Sequence, residues 1–178
     1  MNKIIPKKII SLASLLLLLA ISNGAKATPM PNFTLPSVVD GKDVNSNAFK
    51  GKVLLVTFFA TWCPPCRQEI PTLIQLQKEL AEKGFSVLAL SMDEGGPDIV
   101  GKLVKQDKIN YPVLMADNDV VSGFGGISGI PTSFLISSEG KMIRTYPGYV
   151  PHELLKQDIE EIMPKKSKQL KKNKEQKK

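Results

Sequence analysis

Two short apolar runs mark the centre of the chain. They extend from Val53 to Phe59, a run rich in β-branched and aromatic residues, and from Phe85 to Met92. Neither run shows the alternation of polar and apolar positions that is typical of a half-exposed strand. The pattern therefore predicts two strands that are buried on both faces of a sheet.

The segment between these strands has helical periodicity, with apolar residues at Ile70, Leu73, Ile74 and Leu80 and a candidate C-terminal cap at Gly84. A strand, a helix and a second strand in this order predict parallel pairing through a right-handed crossover. The residues that follow each strand are then expected to meet at the carboxyl edge of the sheet.

The remaining pattern completes an α/β fold with a central mixed sheet and helices on both faces. An Asp-Gly hairpin signal at 38–42 precedes the first buried strand. The second is followed by an inserted helix at 97–108 and a short extended segment at 111–115, and the fold ends with a strand hairpin at 132–137 and 142–146 and a last helix at 151–163. The Gly-rich run 123–129 lacks the sequence of a phosphate-binding loop and is interpreted as a flexible segment that leads into Ile130–Pro131.

The two cysteines of the chain, Cys63 and Cys66, follow the first buried strand and precede the first helix. Pro64 and Pro65 suit a first helical turn, which needs no N–H donors. The dipole and free N–H groups of a helix N-terminus favour negative charge, so Cys63 is expected to ionise readily and Cys66, one turn further, to be shielded. We predict a redox-active disulfide with Cys63 as nucleophile and Cys66 as resolving thiol.

Other uses of a Cys-x-x-Cys pair are disfavoured. Zinc needs four ligands, and His152 is the one histidine that could join the cysteines. Covalent haem attachment needs a histidine at position 67, which is Arg67. A purely structural disulfide would close too short a loop to restrict the unfolded chain strongly. We therefore predict neither a metal nor a cofactor.

The ends of the chain differ from its centre in composition. Residues 1–27 combine a lysine-containing start, an apolar segment and an Ala-Lys-Ala cleavage pattern, which predict a signal peptide and export; an uncleaved N-terminal anchor is the alternative. Residues 28–163 form the predicted domain, and residues 164–178 a disordered lysine-rich tail. Two cysteines in an exported chain favour a dedicated redox pair over a disulfide scaffold.

The net charge of +7 belongs to these ends. Four of the 24 basic residues lie in residues 1–27 and eight in residues 165–178, which leaves 12 against 16 acidic residues and a charge of −4 between them. The tail is expected either to contact an anionic membrane surface weakly or to be solvated without a role. Nucleic-acid binding is disfavoured because the tail has no aromatic residue that could stack on bases.

Several further motifs accompany the cysteine pair. They are the active-site segment 58–66, a Gly-Ile-Pro-Thr loop with its following strand at 129–136, and three shorter motifs at 32–36, 50–52 and Arg67-x-Glu69-x-Pro71. Together, over roughly residues 31 to 163, they resemble a known family, the extracytoplasmic TlpA/ResA-like thiol-disulfide oxidoreductases of the thioredoxin-like superfamily.

The resemblance implies a thioredoxin-like fold with an N-terminal β-hairpin extension and one inserted helix. It also implies a cis peptide bond before Pro131, which would open the backbone of Ile130 beside Cys63 for an extended substrate. The substrate groove would then comprise five residues, which are Trp62, Pro64, Pro65, Ile130 and Pro131.

A proton-transfer residue is also implied. Ordinary thioredoxins carry a buried aspartate six residues before the first cysteine, where this chain has Thr57. ResA-like proteins place a glutamate after the second core strand, which makes Glu94 the candidate; a half-buried carboxylate there would have a raised pKa. The alternative is that Glu94 is an ordinary solvated loop residue.

The expected activity is thiol-disulfide exchange on exported proteins. We predict a reductant with a role in cell redox homeostasis, because Pro64 and Pro65 offer no N–H to stabilise the Cys63 thiolate strongly. A reductant in the periplasm requires a membrane thiol-disulfide electron donor, and the resemblance suggests apocytochrome c as substrate, in cytochrome c biogenesis. The alternatives are an exported disulfide oxidase or general exchanger, and a non-catalytic peptide-binding chaperone on the same scaffold.

Overall fold

The computed structural model describes residues 28–164. The predicted signal peptide and the lysine-rich tail beyond residue 164 lie outside the described residues. Within residues 28–164, no helix combines the length and apolar character needed to cross a membrane.

Seven strands and four α-helices make up the described part of the chain. The strands are β1 (Thr34–Pro36), β2 (Asp43–Asn45), β3 (Val53–Phe59), β4 (Phe85–Ser91), β5 (Val113–Met115), β6 (Thr132–Ile136) and β7 (Met142–Pro147). The helices are α1 (Pro64–Leu80), α2 (Pro97–Gln106), α3 (Asn118–Gly123) and α4 (His152–Ile162), with short 3-10 turns at Ser46–Phe49 and Ala81–Lys83.

The main sheet has five strands in the order β5-β4-β3-β6-β7. Strand β3 pairs in parallel with β4, which pairs in parallel with β5, whereas β6 and β7 are antiparallel to their neighbours. The predicted mixed sheet is therefore confirmed, and so is the parallel pairing of the two apolar runs. Both β3 and β4 are buried along their whole length.

The complete burial of β3 follows from apolar cover on both faces of the sheet. Val53, Leu55 and Phe59 pack in a cluster with residues of α1, α2 and α4, whereas Leu54 and Phe58 pack in a second cluster on the opposite face. Alternate side chains of a strand point to opposite faces, so both registers must be apolar. The cysteines belong to the first cluster.

Helices cover both faces, as predicted, but unequally. Three helices pack on the face that carries the cysteines, and the other face is covered by the short α3 and by residues of the N-terminal extension. Phe58, Phe124 and Phe134 form an aromatic group on this second face, with ring centroids 4.9 to 6.0 Å apart. Helix α3 was not predicted from the sequence, and the structure adds it between β5 and β6.

The predicted N-terminal hairpin is confirmed as the antiparallel pair of β1 and β2. It lies against the edge strand of the main sheet, where the Val38 N–H donates to the Val113 carbonyl at 3.0 Å. The predicted inserted helix is α2, between β4 and β5. Gly84 has a φ of 92° and ends the turn after α1, which confirms its expected capping position.

Helix α4 is fastened to its neighbours by polar contacts. The Tyr146 hydroxyl donates to Asp158 at 2.7 Å, and Arg144 forms an ion pair with the same carboxylate. On the other side, Lys156 of α4 pairs with Glu79 of α1 at 2.7 Å. These contacts hold α4 against β7 and α1.

Candidate active site

The Cys-x-x-Cys pair lies at the start of α1, at the carboxyl edge of the sheet. Cys63 is the N-cap residue of the helix, and Pro64 and Pro65 occupy its first turn. The Cys66 N–H points toward the Cys63 sulfur at 3.3 Å. A disulfide joins the two cysteines, and each side chain is at most 3% exposed. The structure therefore places Cys63 where a helix N-terminus can stabilise a thiolate.

The Ile130–Pro131 peptide bond is cis, and its loop lies beside the disulfide. The Ile130 carbonyl oxygen is 3.7 Å from the Cys63 sulfur. The loop is held by the Thr132 hydroxyl, which donates to the Gly129 carbonyl at 2.7 Å, and by the Gly148 N–H, which donates to the Pro131 carbonyl at 2.8 Å. Ile130 and Pro131 thus lie next to Cys63, as the groove hypothesis requires.

Trp62 is 69% exposed, so its indole does not pack in the core. It borders a surface cavity of about 540 Å³ together with Thr61, Met92, Glu94 and Ile99, among others. An exposed tryptophan beside a redox pair provides a flat apolar surface for a partner protein. Pro64 and Pro65 are also exposed. The structure therefore exposes the residues on both sides of Cys63, whereas Cys63 itself is buried.

The turn before Cys63 is bound to the end of β4 by Asp93. This carboxylate is 8% exposed and accepts hydrogen bonds from the Thr61 N–H at 2.9 and 3.2 Å, from the Thr61 hydroxyl at 2.5 Å and from the Ser91 hydroxyl at 2.7 Å. Asp93 follows one of the two buried strands whose ends were expected to meet at this edge, but no role was predicted for it. Its contacts show that it fixes the backbone two residues before the nucleophile.

Glu94, the predicted proton-transfer residue, is exposed. The half-buried environment expected for its carboxylate is therefore wrong, because the chain turns outward directly after Asp93. Thr57 is 1% exposed, as expected for the position that carries a buried acid in thioredoxins. Its hydroxyl has no hydrogen-bond partner among residues 28–164.

Glu69 is a second buried acid of the site, and the sequence pointed to it only as part of a motif. It is 1% exposed and lies three residues after Cys66, on the same face of α1. Burial raises the pKa of its carboxyl to about 7, and the hydrogen bond from the Val150 N–H at 3.3 Å lowers it only in part. A carboxyl with this raised pKa is a candidate acid or base near neutral pH.

Tyr111 lies close enough to Glu69 to be affected by its charge. Burial, followed by the negative charges of Glu69 and Asp107, raises the pKa of the Tyr111 hydroxyl. The periodicity of α1 carried a signal for this site, because Glu69 falls between Cys66 and Ile70 on the apolar stripe of the helix. Glutamate is almost never fully buried unless it is paired, so its place on this stripe was informative.

The family model that matches the chain is Redoxin, over residues 25–162. The thiol-disulfide oxidoreductase ResA of Bacillus thuringiensis subsp. konkukian is 36% identical over 135 residues, which cover 75% of this chain and 76% of that protein. The ResA of Bacillus subtilis is 30% identical over 146 residues, which cover 82% of this chain and 78% of that protein.

Solved structures agree with these relatives. A thiol:disulfide interchange protein of the thioredoxin family from Chlorobium tepidum superposes with a TM-score of 0.73 at 38% identity, and the match covers 79% of this chain and 99% of that one. A thiol:disulfide interchange protein from the same organism, described as a DsbE, gives a TM-score of 0.71 at 31% identity over 78% of this chain and 98% of that one. The fold is thus that of proteins named for thiol-disulfide exchange.

Proposed function

We propose, from the premise that this chain belongs to the Redoxin family and is a thiol-disulfide oxidoreductase related to ResA, that it works in the reductive direction on exported proteins. The reductive direction is inferred from the limited stabilisation of the Cys63 thiolate. Pro64 and Pro65 supply no N–H, so the first donor of α1 that reaches the Cys63 sulfur is the Cys66 N–H at 3.3 Å. A weakly stabilised thiolate keeps the reduced form reactive as an electron donor.

The reaction is a two-electron exchange. The Cys63 thiolate attacks one sulfur of a substrate disulfide, which forms a mixed disulfide and releases the other substrate sulfur as a thiolate. The Cys66 thiol then loses its proton and attacks the Cys63 sulfur. The second substrate thiolate leaves, and the Cys63–Cys66 disulfide remains. Each cycle reduces one substrate disulfide and oxidises one dithiol of the protein.

In this proposal Glu69, rather than Glu94, accepts the proton that Cys66 loses. Glu69 is buried one helical turn from Cys66, and its pKa of about 7 allows it to accept a proton at neutral pH. Glu94 remains a second candidate, because it borders the cavity beside Trp62. The two acids differ in burial, so variants of each distinguish the two assignments.

The substrate and the partners follow from the same proposal. An extended segment of an exported protein would lie between Trp62 and the backbone of Ile130, with its cysteine against Cys63. Thiol pairs such as those of apocytochrome c before haem attachment fit this class of substrate. Export by residues 1–27 would require a membrane donor to return electrons to the disulfide. The lysine-rich tail would add about 1 kcal/mol per lysine near an anionic membrane surface.

The redox state of the protein in its own cells tests the direction. Cells are quenched in acid and free thiols are alkylated with a reagent that shifts the mass of each labelled cysteine, with dithiothreitol- and diamide-treated cells as markers. We expect most of the protein to carry two labelled cysteines, because a reductant is kept reduced by its donor. A protein that is mostly unlabelled in growing cells would instead be an oxidase.

A further inference from the structure

The buried carboxylate of Asp93 is an unusual neighbour for a thiol that must ionise. We propose that Asp93 is a positioning residue that fixes the turn before Cys63, and that its negative charge keeps the Cys63/Cys66 couple on the reducing side. The inference deepens the proposed function and rests on its reductive direction.

The hydrogen bonds of Asp93 account for the first part of the proposal. Both of its oxygens are used: the Thr61 N–H lies 2.9 and 3.2 Å from the two oxygens, and the hydroxyls of Thr61 and Ser91 complete the set. The Asp93 N–H in turn donates to the Ser91 hydroxyl oxygen at 3.1 Å. Residues from the end of β4 and from the turn after β3 are thereby joined through one side chain.

The second part follows from the nature of these donors. All of them are neutral N–H or O–H groups, and among the ion pairs formed by residues 28–164 none includes Asp93. A carboxylate that accepts hydrogen bonds on both oxygens matches the acceptor-only pattern of an ionised aspartate. Within the described part of the chain, Asp93 therefore places a negative charge that no ion pair compensates.

That charge is close to the nucleophile. Thr61 is two residues from Cys63, so their Cα atoms are at most about 7 Å apart, and the carboxylate bonded to Thr61 lies within about 10 Å of the Cys63 backbone. Because Asp93 is only 8% exposed, solvent and salt screen it less than a surface acid. A fixed negative charge at this distance disfavours the Cys63 thiolate and opposes the helix dipole.

The thiolate and the redox potential are linked. Reduction of the disulfide by two glutathione molecules transfers two electrons, yields glutathione disulfide, and leaves Cys66 as a thiol and Cys63 as a thiol or a thiolate. Whatever stabilises the reduced form raises the potential, and whatever disfavours the thiolate lowers it. Asp93 therefore biases the couple toward electron donation.

The test uses Asp93→Asn, which keeps the shape and one acceptor oxygen but removes the charge. The equilibrium of the mature protein with glutathione buffers is followed by Trp62 fluorescence and thiol trapping, and ionisation of Cys63 by thiolate absorbance. We expect the equilibrium constant for reduction to rise about tenfold, which corresponds to a potential about 30 mV less negative. The Cys63 thiolate is expected to form at lower pH. Asp93→Ser, which is also neutral, is expected to shift both measurements in the same direction.

Two matched variants separate charge from geometry. Thr61→Val removes one hydrogen bond but keeps the carboxylate, and Asp98→Asn removes an exposed charge from the first turn of α2. We expect both to leave the equilibrium constant within about twofold of the wild type. The proposal is overturned if Asp93→Asn and Asp93→Ser also stay within that range, or if either control shifts the constant as far as they do. The wild-type potential tests the reductive direction independently, since the Asp93 effect is a difference between variants.

Discussion

Cys63→Ser is expected to reduce the rate of disulfide exchange at least about 10³-fold, because it removes the sulfur that forms the covalent intermediate. Cys63 is the N-cap residue of α1, beside the cis Ile130–Pro131 bond and the exposed Trp62. Cys66 follows one turn later on the buried face of the helix. The rate is measured by stopped-flow reduction of a peptide that contains one disulfide.

Cys66→Ser is the matched control, because it removes the same disulfide from the fold but keeps the nucleophile. This variant is expected to attack the peptide at a rate similar to that of the wild type and to stop at a mixed disulfide, which mass spectrometry detects on Cys63. In cells, the trapped partner would report the class of substrate. Equal loss of attack in the two variants, or a mixed disulfide on Cys66 in Cys63→Ser, would contradict the assigned roles.

The wild type is expected to lose stability between acidic and neutral pH, and Glu69→Gln is expected to lose less. Burial raises the pKa of the Glu69 carboxyl from 4.5 to about 7. The folded protein therefore binds more protons than the unfolded chain between these values, so the free energy of unfolding falls as the pH rises through them. The contribution is complete below pH 4.5 and lost above pH 7, and it amounts to about 3 kcal/mol.

Urea unfolding of the oxidised protein at pH 5 and pH 8 measures this effect. The difference between the two pH values is expected to be smaller in Glu69→Gln than in the wild type, because glutamine does not titrate. Glu82→Gln, which alters an exposed acid after α1, is expected to retain the wild-type difference. An unchanged difference in Glu69→Gln would show that Glu69 is not the group that titrates.

The same variant tests proton transfer. If Glu69 accepts the proton of Cys66, Glu69→Gln slows release of the substrate from the mixed disulfide about 10²-fold at pH 7 and leaves the first attack by Cys63 unaffected. Glu94→Gln is expected to leave the release step close to its wild-type rate. The reverse result would restore Glu94 as the proton acceptor and leave Glu69 with a structural role.

The strands could be predicted because their physical signal is local. The run of β3 has apolar residues in both registers, and the structure buries both, with Val53 and Leu54 in separate clusters. The position of Cys63 at the start of α1 follows from the same sequence, since Pro64 and Pro65 are suited to a first turn. The cis bond before Pro131 has no such local signal, and its prediction rested on the family resemblance.

Helix α3 could not be predicted from periodicity because it is six residues long and ends at Gly123. Its signal is the Asp117 side chain, which caps the helix by accepting from the Val120 N–H at 2.7 Å. Val120 and Phe124 then bury their side chains against the second face of the sheet. A helix this short, with Val120 as its one buried residue, depends on the tertiary structure against which it packs.

The environment of the acids was the least predictable feature of the site. Asp93 and Glu94 are neighbours at the end of β4, yet Asp93 is 8% exposed and hydrogen-bonded to Thr61, whereas Glu94 faces solvent. The sequence places both acids at the carboxyl edge of the sheet but does not give the direction of each side chain. Burial of Glu69 depends on the segment around Val150, which is far away in sequence.

The midpoint potential of the Cys63/Cys66 couple tests the central claim most directly. The mature protein is equilibrated with dithiothreitol and glutathione buffers, and its redox state is followed by Trp62 fluorescence with thiol trapping as a check. A reductant is expected to have a potential below about −220 mV, on the reducing side of the glutaredoxin range. A value near −120 mV, about that of DsbA, would contradict the reductive direction and identify the protein as an oxidase.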